Sequence, residues 1–413
     1  MGRYRGALAL AVCTGAASAA GIGLTRLGVR PGGTNNFIHP VHVSGDGRVV
    51  FGWGYGDDGR THAFTWTDDG GLRFDDDPAT FASYTYAFAS STDGSRIMAR
   101  SPLGEVWMPG VGWSPIDPAG TFGSPFVCAT SGDGRTAGGS VYMTDLRRDD
   151  AVLWRDGQAP IALPRLPGNV DGSARITAVS RDGLVVAGYT PNANGVHVSF
   201  RWTEQGGMED LGEYFGSPLF PSPLANAINA DGSVIVGRLN GSPSSHGYRW
   251  TRETGYVDLG FILSPNGSQT DALAVSADGK TIVGFTGSSQ YAFIWTTERG
   301  MRDLTAVLAE QLGTDPFAGW TRMIASGVSD DGLHVAGRGR NPEGVNEVWV
   351  VRLPDPNGCV ADVNGDGTLN LDDIILFAGA FTNAGLLADA DRNGALDLND
   401  VTAFADVFIA GCR

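Results

Sequence analysis

Two short segments near the C-terminus carry the residue types and spacing needed to wrap a hard cation. In 362–373, oxygen-bearing side chains fall at loop positions 1, 3, 5, 9 and 12 (Asp362, Asn364, Asp366, Asn370 and Asp373). Gly367 stands at position 6 and the Thr368 carbonyl at position 7. The pattern returns 27 residues later in 389–400, as Asp389, Asp391, Asn393, Asp397 and Asp400, with Gly394 and the Ala395 carbonyl in the matching places. Calcium takes about six to eight oxygen ligands, and glycine at position 6 lets one loop turn sharply enough to supply most of them. The expected chemistry is two Ca2+ sites. Position 12 is Asp in both loops, which shortens the reach of the ligand that is usually a bidentate Glu. Charge agrees with this reading. From Cys359 to the end there are nine Asp, no Glu and two Arg, close to half of the chain's net −16. Carboxylates packed that densely repel one another unless cations neutralise them.

The elements that must hold these loops are legible on either side. Each loop runs into an apolar segment of helical spacing, 374–381 and 401–408. Phe377 and Phe381 of the first match Phe404 and Phe408 of the second. Residues four apart share a helix face, so these rings are expected to pack the two halves together. Cys359 and Cys412 bracket the pair and are expected to form a disulfide in an oxidising compartment. Pro354-Asp-Pro-Asn-Gly358 reads as a stiff linker, 354–358, ahead of a module spanning 359–412.

The N-terminus supports export. Arg3 and Arg5 precede an apolar run from Ala7 to Val12 and the small-residue site Ala17-Ser18-Ala19, so 1–19 reads as a signal peptide. A lipoprotein site at Leu10-Ala-Val-Cys13 is a weaker alternative, because Val12 is bulky where a small residue is usual. No run approaches the roughly 18 apolar residues of a membrane-spanning helix. The acidic balance, 45 Asp+Glu against 29 Lys+Arg, disfavours a nucleic-acid partner. Cys128, in the apolar run Pro125-Phe-Val-Cys128-Ala, reads as a buried, inert thiol.

Between these ends the chain repeats seven times. Val43-Ser-Gly-Asp46-Gly-Arg-Val-Val-Phe-Gly52 recurs around Asp93, Asp133, Asp182, Asp231, Asp278 and Asp331, each followed by Gly. Asp-Gly between β-branched runs is a hairpin signal, because Gly accepts the positive φ of a tight turn. Each turn leads to a strand ending in Trp (66, 107, 154, 202, 250, 295 and 349), then to a turn and a short strand such as Met208-Glu-Asp-Leu-Gly212. Four strands per unit of roughly 47 residues make one propeller blade. The seventh unit lacks its fourth strand, and Leu24-Thr-Arg-Leu-Gly28 supplies a match. Residues 24–353 are therefore expected to close as a ring with no free sheet edge. One insertion, Leu304 to Leu312, has the spacing of a short helix. The expected fold is an all-β seven-bladed β-propeller followed by a small α-helical calcium-binding domain.

The repeat resembles the extracellular HAF-repeat family, named for a His-Ala-Phe motif that His62-Ala63-Phe64 matches, with looser forms at His246-Gly-Tyr248 and Tyr291-Ala-Phe293. That resemblance implies a secreted, propeller-like protein and brings no established catalytic residues. The C-terminal module, loop-then-helix duplicated without entering helices, resembles a dockerin. Cys359 and the terminal Gly411-Cys412-Arg413 make it similar to the GC-type dockerins of exported bacterial proteins. The resemblance implies a cohesin-like or cell-surface anchoring partner. It departs from the cellulosomal pattern at loop positions 10 and 11, which are Leu371-Asp372 and Leu398-Asn399 instead of Ser/Thr.

No catalytic constellation stands out in the repeats. The seven recurrent Asp residues are accounted for by turn formation. Among the histidines, only His39 and His42, beside Pro40 in an expected loop, are close enough in sequence to suggest a metal pair. The seven Trp fit blade packing, while Trp53, Trp113 and Trp320 fall outside that position and are candidates for an exposed aromatic platform. The expected function is a secreted, non-catalytic binding or scaffold protein with a glycan or protein ligand on the propeller. A polysaccharide-degrading enzyme and a structural matrix component are the alternatives.

Overall fold

The computed structural model describes residues 23–28, 38–55, 61–67, 69–74, 86–100, 105–108, 112–117, 125–169, 172–214, 222–241, 245–262, 269–288, 290–355, 359–364 and 368–411. The expected signal peptide (1–19), most of the linker (356–358), Asp366 and Cys412 lie outside this set.

Seven antiparallel four-stranded sheets make up the propeller, spanning 38–74, 86–115, 125–162, 175–210, 222–258, 270–303 and 321–352. They are blades 1 to 7. Strand Gly23–Gly28 pairs with Asn346–Arg352 and is the outermost strand of blade 7, so the two ends of the chain complete one sheet as expected. Arg26 clasps that seam: its Nε and Nη2 donate to the Glu347 carboxylate at 3.0 and 2.7 Å. The first strands of successive blades neighbour one another in a closed circle around a central channel.

Local rules explain the blade. In every blade the first strand carries a bulge against the second, as between Ile176 and Ala178 or between Ala225 and Ala227. A bulge sharpens twist and kinks the strand. Here it brings a first-strand carbonyl onto the second strand. A Cβ at Gly188 would stand 1.9 Å from the Arg175 carbonyl oxygen, and one at Gly237 would stand 2.1 Å from that of Leu224. A side chain has no room there, which explains the glycine that closes the motif in six blades; blade 2 has Ala99 in that place. The third strand supplies the core. Trp66, Trp154, Trp202, Trp250 and Trp349 are buried, as are Phe64, Phe200, Tyr248 and Phe293 two residues before a Trp. These rings fill the space within and between blades.

The recurrent Asp residues do form turns, with a partner that the Asp-Gly reading overlooked. Ser180 Oγ donates to Asp182 Oδ1 at 2.6 Å, and the Leu184 amide donates to the same oxygen at 2.9 Å. The Val185 amide returns to Ser180 Oγ at 2.9 Å. The arrangement repeats with Ser44, Ser91, Ser131, Ser276 and Ser329, and with Asn229 as the acceptor in blade 5. The residue between Ser and Asp links the blades. The Gly45 amide donates to the Thr92 carbonyl, Thr92 to Gly132, Gly132 to Arg181, Arg181 to Ala230, Ala230 to Ala277, Ala277 to Asp330, and Asp330 back to Gly45, all between 2.7 and 3.2 Å. Seven main-chain hydrogen bonds thus close a ring around the channel.

Three helices complete the described chain: α1 (Leu304–Leu312), α2 (Leu371–Thr382) and α3 (Leu398–Ala410). Helix α1 forms where the spacing predicted it, is N-capped by Asp303, and buries Leu304 and Leu308 in a core shared by blades 6 and 7. Helices α2 and α3 begin three residues earlier than expected, because loop positions 10 to 12 already form their first turn under capping boxes at Asn370 and Asp397. The phenylalanines meet as expected, with Phe377 and Phe404 stacked at 4.1 Å. This helical pair rests on the propeller. A 3-10 turn, Leu386–Ala388, lies against α1. Cβ atoms at Gly385 and Gly313 would meet the Gln311 and Asn383 carbonyl oxygens at 2.5 and 2.2 Å. Arg352, on the last strand of blade 7, donates to the Asn364 carbonyl in the first acidic loop.

Candidate metal centre

The two acidic loops fold alike around their twelfth residues. Asp373 and Asp400 are fully buried. Asp373 accepts from the Asn364 amide at 3.1 Å and from the Asn370 amide at 2.9 Å. Asp400 accepts from the Asp391 amide at 3.3 Å and from the Asp397 amide at 2.8 Å. One carboxylate therefore pins positions 3 and 9 of its own loop while it caps the following helix. Because each carboxylate oxygen has two lone pairs, these bonds leave acceptor capacity facing the loop interior.

In the second loop, ligand atoms of Asp389, Asp391 and Asp400 lie within 4.8 Å of one another. The Asn393 and Gly394 amides hold Asp389 at 3.0 and 2.9 Å, and Gly394 adopts φ 82° to make the turn at position 6. The Asp391 carboxyl is pushed above its ordinary value by desolvation and by the facing Asp400, Asp389 and Asp397 carboxylates. Convergent, mutually repelling oxygens with no nitrogen or sulfur donor suit a hard cation of the size of calcium. In the first loop, Asn364 is fully buried beside Asp373, while Asp366 lies outside the described residues. Thr368 and Asn370 follow, with the Asn370 side chain donating to the Thr368 carbonyl at 3.3 Å.

The other candidates resolve differently. His39 and His42 lie on strand Ile38–Val43, not in a loop, because the bulge beside Pro40 accommodates the proline. Instead of facing a shared metal, His39 stacks on Trp53 at 4.5 Å, and His42 Nδ1 lies 2.5 Å from the Val43 carbonyl oxygen. Trp320 is no open platform: Arg26 covers its face at 5.5 Å and Phe317 meets it edge-on. The Trp113 side chain lies outside the described set. Cys128 is a half-buried thiol rather than a fully buried one, at the bulge of its strand, with Sγ 3.9 Å from the Phe126 carbonyl oxygen. On the turn face, Asp46, Asp93 and Asp133 line a depression of about 410 Å³ with Arg181, but each gives one oxygen to its own turn.

Fold and site together define a β-propeller protein with an appended, acidic helical pair. No family model matches the sequence, and no curated protein matches it. Solved structures do. An oligogalacturonate lyase from Vibrio parahaemolyticus aligns with a TM-score of 0.51 at 11% identity, over 82% of this chain and 95% of its own. The Cps50 (Swd1) propeller domain of Myceliophteria thermophila aligns at 0.49 and 10% identity, over 80% and 100%. TolB from Acinetobacter baumannii aligns at 0.42 and 17%, over 64% of this chain and 62% of TolB, so the match spans less than two thirds of that protein. At these identities the likeness is one of fold. Among the described residues, no helix is long and apolar enough to cross a membrane.

Proposed function

We propose that this is an exported, non-catalytic binding protein whose propeller presents the ligand surface and whose C-terminal pair is a dockerin-like calcium module. The observation that carries the proposal is the pair of acidic loops with matching hydrogen bonds, each organised by a fully buried position-12 carboxylate. Buried carboxylates surrounded by further carboxylates are costly without a counter-charge. Two Ca2+ ions would supply it, held by Asp362, Asn364, Asp366, Thr368, Asn370 and Asp373, and by Asp389, Asp391, Asn393, Ala395, Asp397 and Asp400. A Cys359–Cys412 disulfide would tie the ends of the module together outside the cell. Leu371 and Leu398, at matching positions 10, are 65% and 78% exposed, an apolar pair suited to a cohesin-like or surface-anchoring partner.

Calcium titration of the full-length mature chain tests this reading. Dialysed protein should bind two Ca2+ by calorimetry, and Asp400→Ala should remove one binding event. Chelation should remove the helical ellipticity of α2 and α3, leaving that of α1 and the β signal. Protein that takes up no calcium and keeps its helices in chelator would refute the module assignment.

A further inference from the structure

We infer that the propeller channel is a binding site for a carboxylate-bearing saccharide, entered from the end opposite the Ser-x-Asp-Gly turns. The inference rests on the binding-protein reading above and names its ligand class.

The turn end is shut. Blades 4 and 7 are not neighbours in the ring of main-chain hydrogen bonds, so the Arg181–Asp330 ion pair at 2.6 Å spans its interior. The hub is packed tightly around it. A Cβ at Gly45 would meet Asp330 and Thr92 side-chain atoms at 2.1 Å, and one at Gly132 would meet Arg181 at 2.5 Å. A ligand must come from the other end.

At that end the first and second strands change character. One register step beyond each blade's bulge-side pair stand His39↔Trp53, Arg175↔Tyr189, Leu224↔Arg238 and Asp271↔Phe285. Arg100 and Arg338 hold the same place in blades 2 and 7. This circle contains four arginines and one acid in a chain whose net charge is −16. Arg175 lies on an innermost strand and Arg238 on the second strand of blade 5; each keeps 40% of its side-chain surface exposed, and the Arg238 guanidinium reaches toward Asp271 on the innermost strand of blade 6.

Arg238 is the charge available to a ligand. Its Nε is buried without an acceptor, and its nearest carboxylate, Asp271, lies at a loose 3.4 Å from Nη1. Asp271 is held instead from blade 5, by Asn226 Nδ2 at 2.6 Å, and burial pushes its carboxyl up to about 6. With Nε buried and only that loose contact on Nη1, it is the terminal Nη donors of the partly exposed Arg238 guanidinium that can fork onto a carboxylate. Arg175, by contrast, is engaged by Asp149. Elsewhere on the circle, His39 and Trp53 stack within 13° of parallel. Burial, and secondarily Arg338, lower the His39 pKa to about 3, so the imidazole is neutral. A neutral, two-ring aromatic surface suits the C–H face of a sugar. Asn226 offers a hydrogen bond to its hydroxyls, and Arg238 pairs with its carboxylate.

Calorimetry of the full-length protein with polygalacturonate, alginate, dextran sulfate and dextran, with reducing ends monitored, tests the inference. The uronate polymers should bind and the two dextrans should not. Arg238→Gln and Trp53→Ala should each weaken uronate binding at least tenfold with unchanged melting, while Arg155→Gln on an outer strand should not. Equal binding of dextran sulfate, undiminished binding by Arg238→Gln, or no uronate binding overturns the inference. Calcium uptake with binding only to neutral glycans would sink the ligand class and spare the binding-protein reading. Uronate binding accompanied by new reducing ends would keep the site and overturn its non-catalytic character.

Discussion

Replacing Arg26 by Met should destabilise the propeller through the seam that joins its two ends. Glu347 is 4% exposed, and its neutralising partner is Arg26, which reaches it with Nε at 3.0 and 3.2 Å and with Nη2 at 2.7 Å. Asn341 Nδ2 adds one neutral hydrogen bond at 3.0 Å. Removing one member of a buried ion pair costs about 3–5 kcal/mol, because the other charge stays desolvated. Arg26 is itself 48% exposed, so water reaches the vacated site and the cost falls to about 2–3 kcal/mol. Loss of the guanidinium from the face of Trp320 adds about 0.5–1 kcal/mol. The sum is about 3 kcal/mol, read as a lowered urea midpoint in tryptophan fluorescence. The double variant Arg26→Met/Glu347→Gln removes the orphaned charge, and should recover at least half of the loss. A single variant within about 0.5 kcal/mol of the parent, or a double variant no better than the single, would refute the clasp.

Gly385→Val places a side chain against the Gln311 carbonyl and the Gly313 amide. Calorimetric scans should then show the helical pair melting apart from the propeller; a trace like the parent's would mean that the contact with α1 is incidental. The Asp271 carboxyl is raised from 3.8 to about 6, so the folded chain binds that proton more tightly than the unfolded chain. The contribution of Asp271 to stability should therefore be greatest below pH 4, fall between pH 4 and 6, and then level. Asp271→Asn should match the parent at pH 4 and exceed it by about 2 kcal/mol at pH 7. Parallel profiles for the two proteins would exclude Asp271 as the source. Ser180→Ala, which removes the hub of one turn, should cost about 1–2 kcal/mol in urea unfolding, whereas a neutral result would assign the turn to its glycine alone.

Periodic features were readable because each repeat advertises the same local chemistry. The seven Asp-Gly turns, the third-strand Trp residues, the closing strand and helix α1 all follow from spacing. What escaped depends on contacts between blades. Pro40 reads as a strand breaker, and nothing local announces that the bulge beside it will absorb it. The serine two residues before each Asp stands in six of the seven motifs and was available as a signal; its role appears once the returning amide is in place. The residue between them is Gly, Thr, Gly, Arg, Ala, Ala and Asp in turn, so no pattern of residue type marks the ring that its backbone builds. Arg238 looks like any exposed strand arginine until Asn226 is seen to hold its acid. The seating of the helical pair on α1 rests on two glycines, Gly313 and Gly385, far apart in sequence.

The ring at the turn face has an electrostatic consequence. Each of its seven N–H···O=C bonds points along the circumference in the same rotational sense, so the bond dipoles circulate and largely cancel. Unlike the aligned peptides of a helix, which leave partial charges at its two ends, this arrangement creates no axial field of its own. The potential along the bore is therefore left to side chains: a neutral pair, Arg181 with Asp330, at the closed end, and the arginine-rich circle at the other. A substitution at either end can reset that potential without disturbing a main-chain bond.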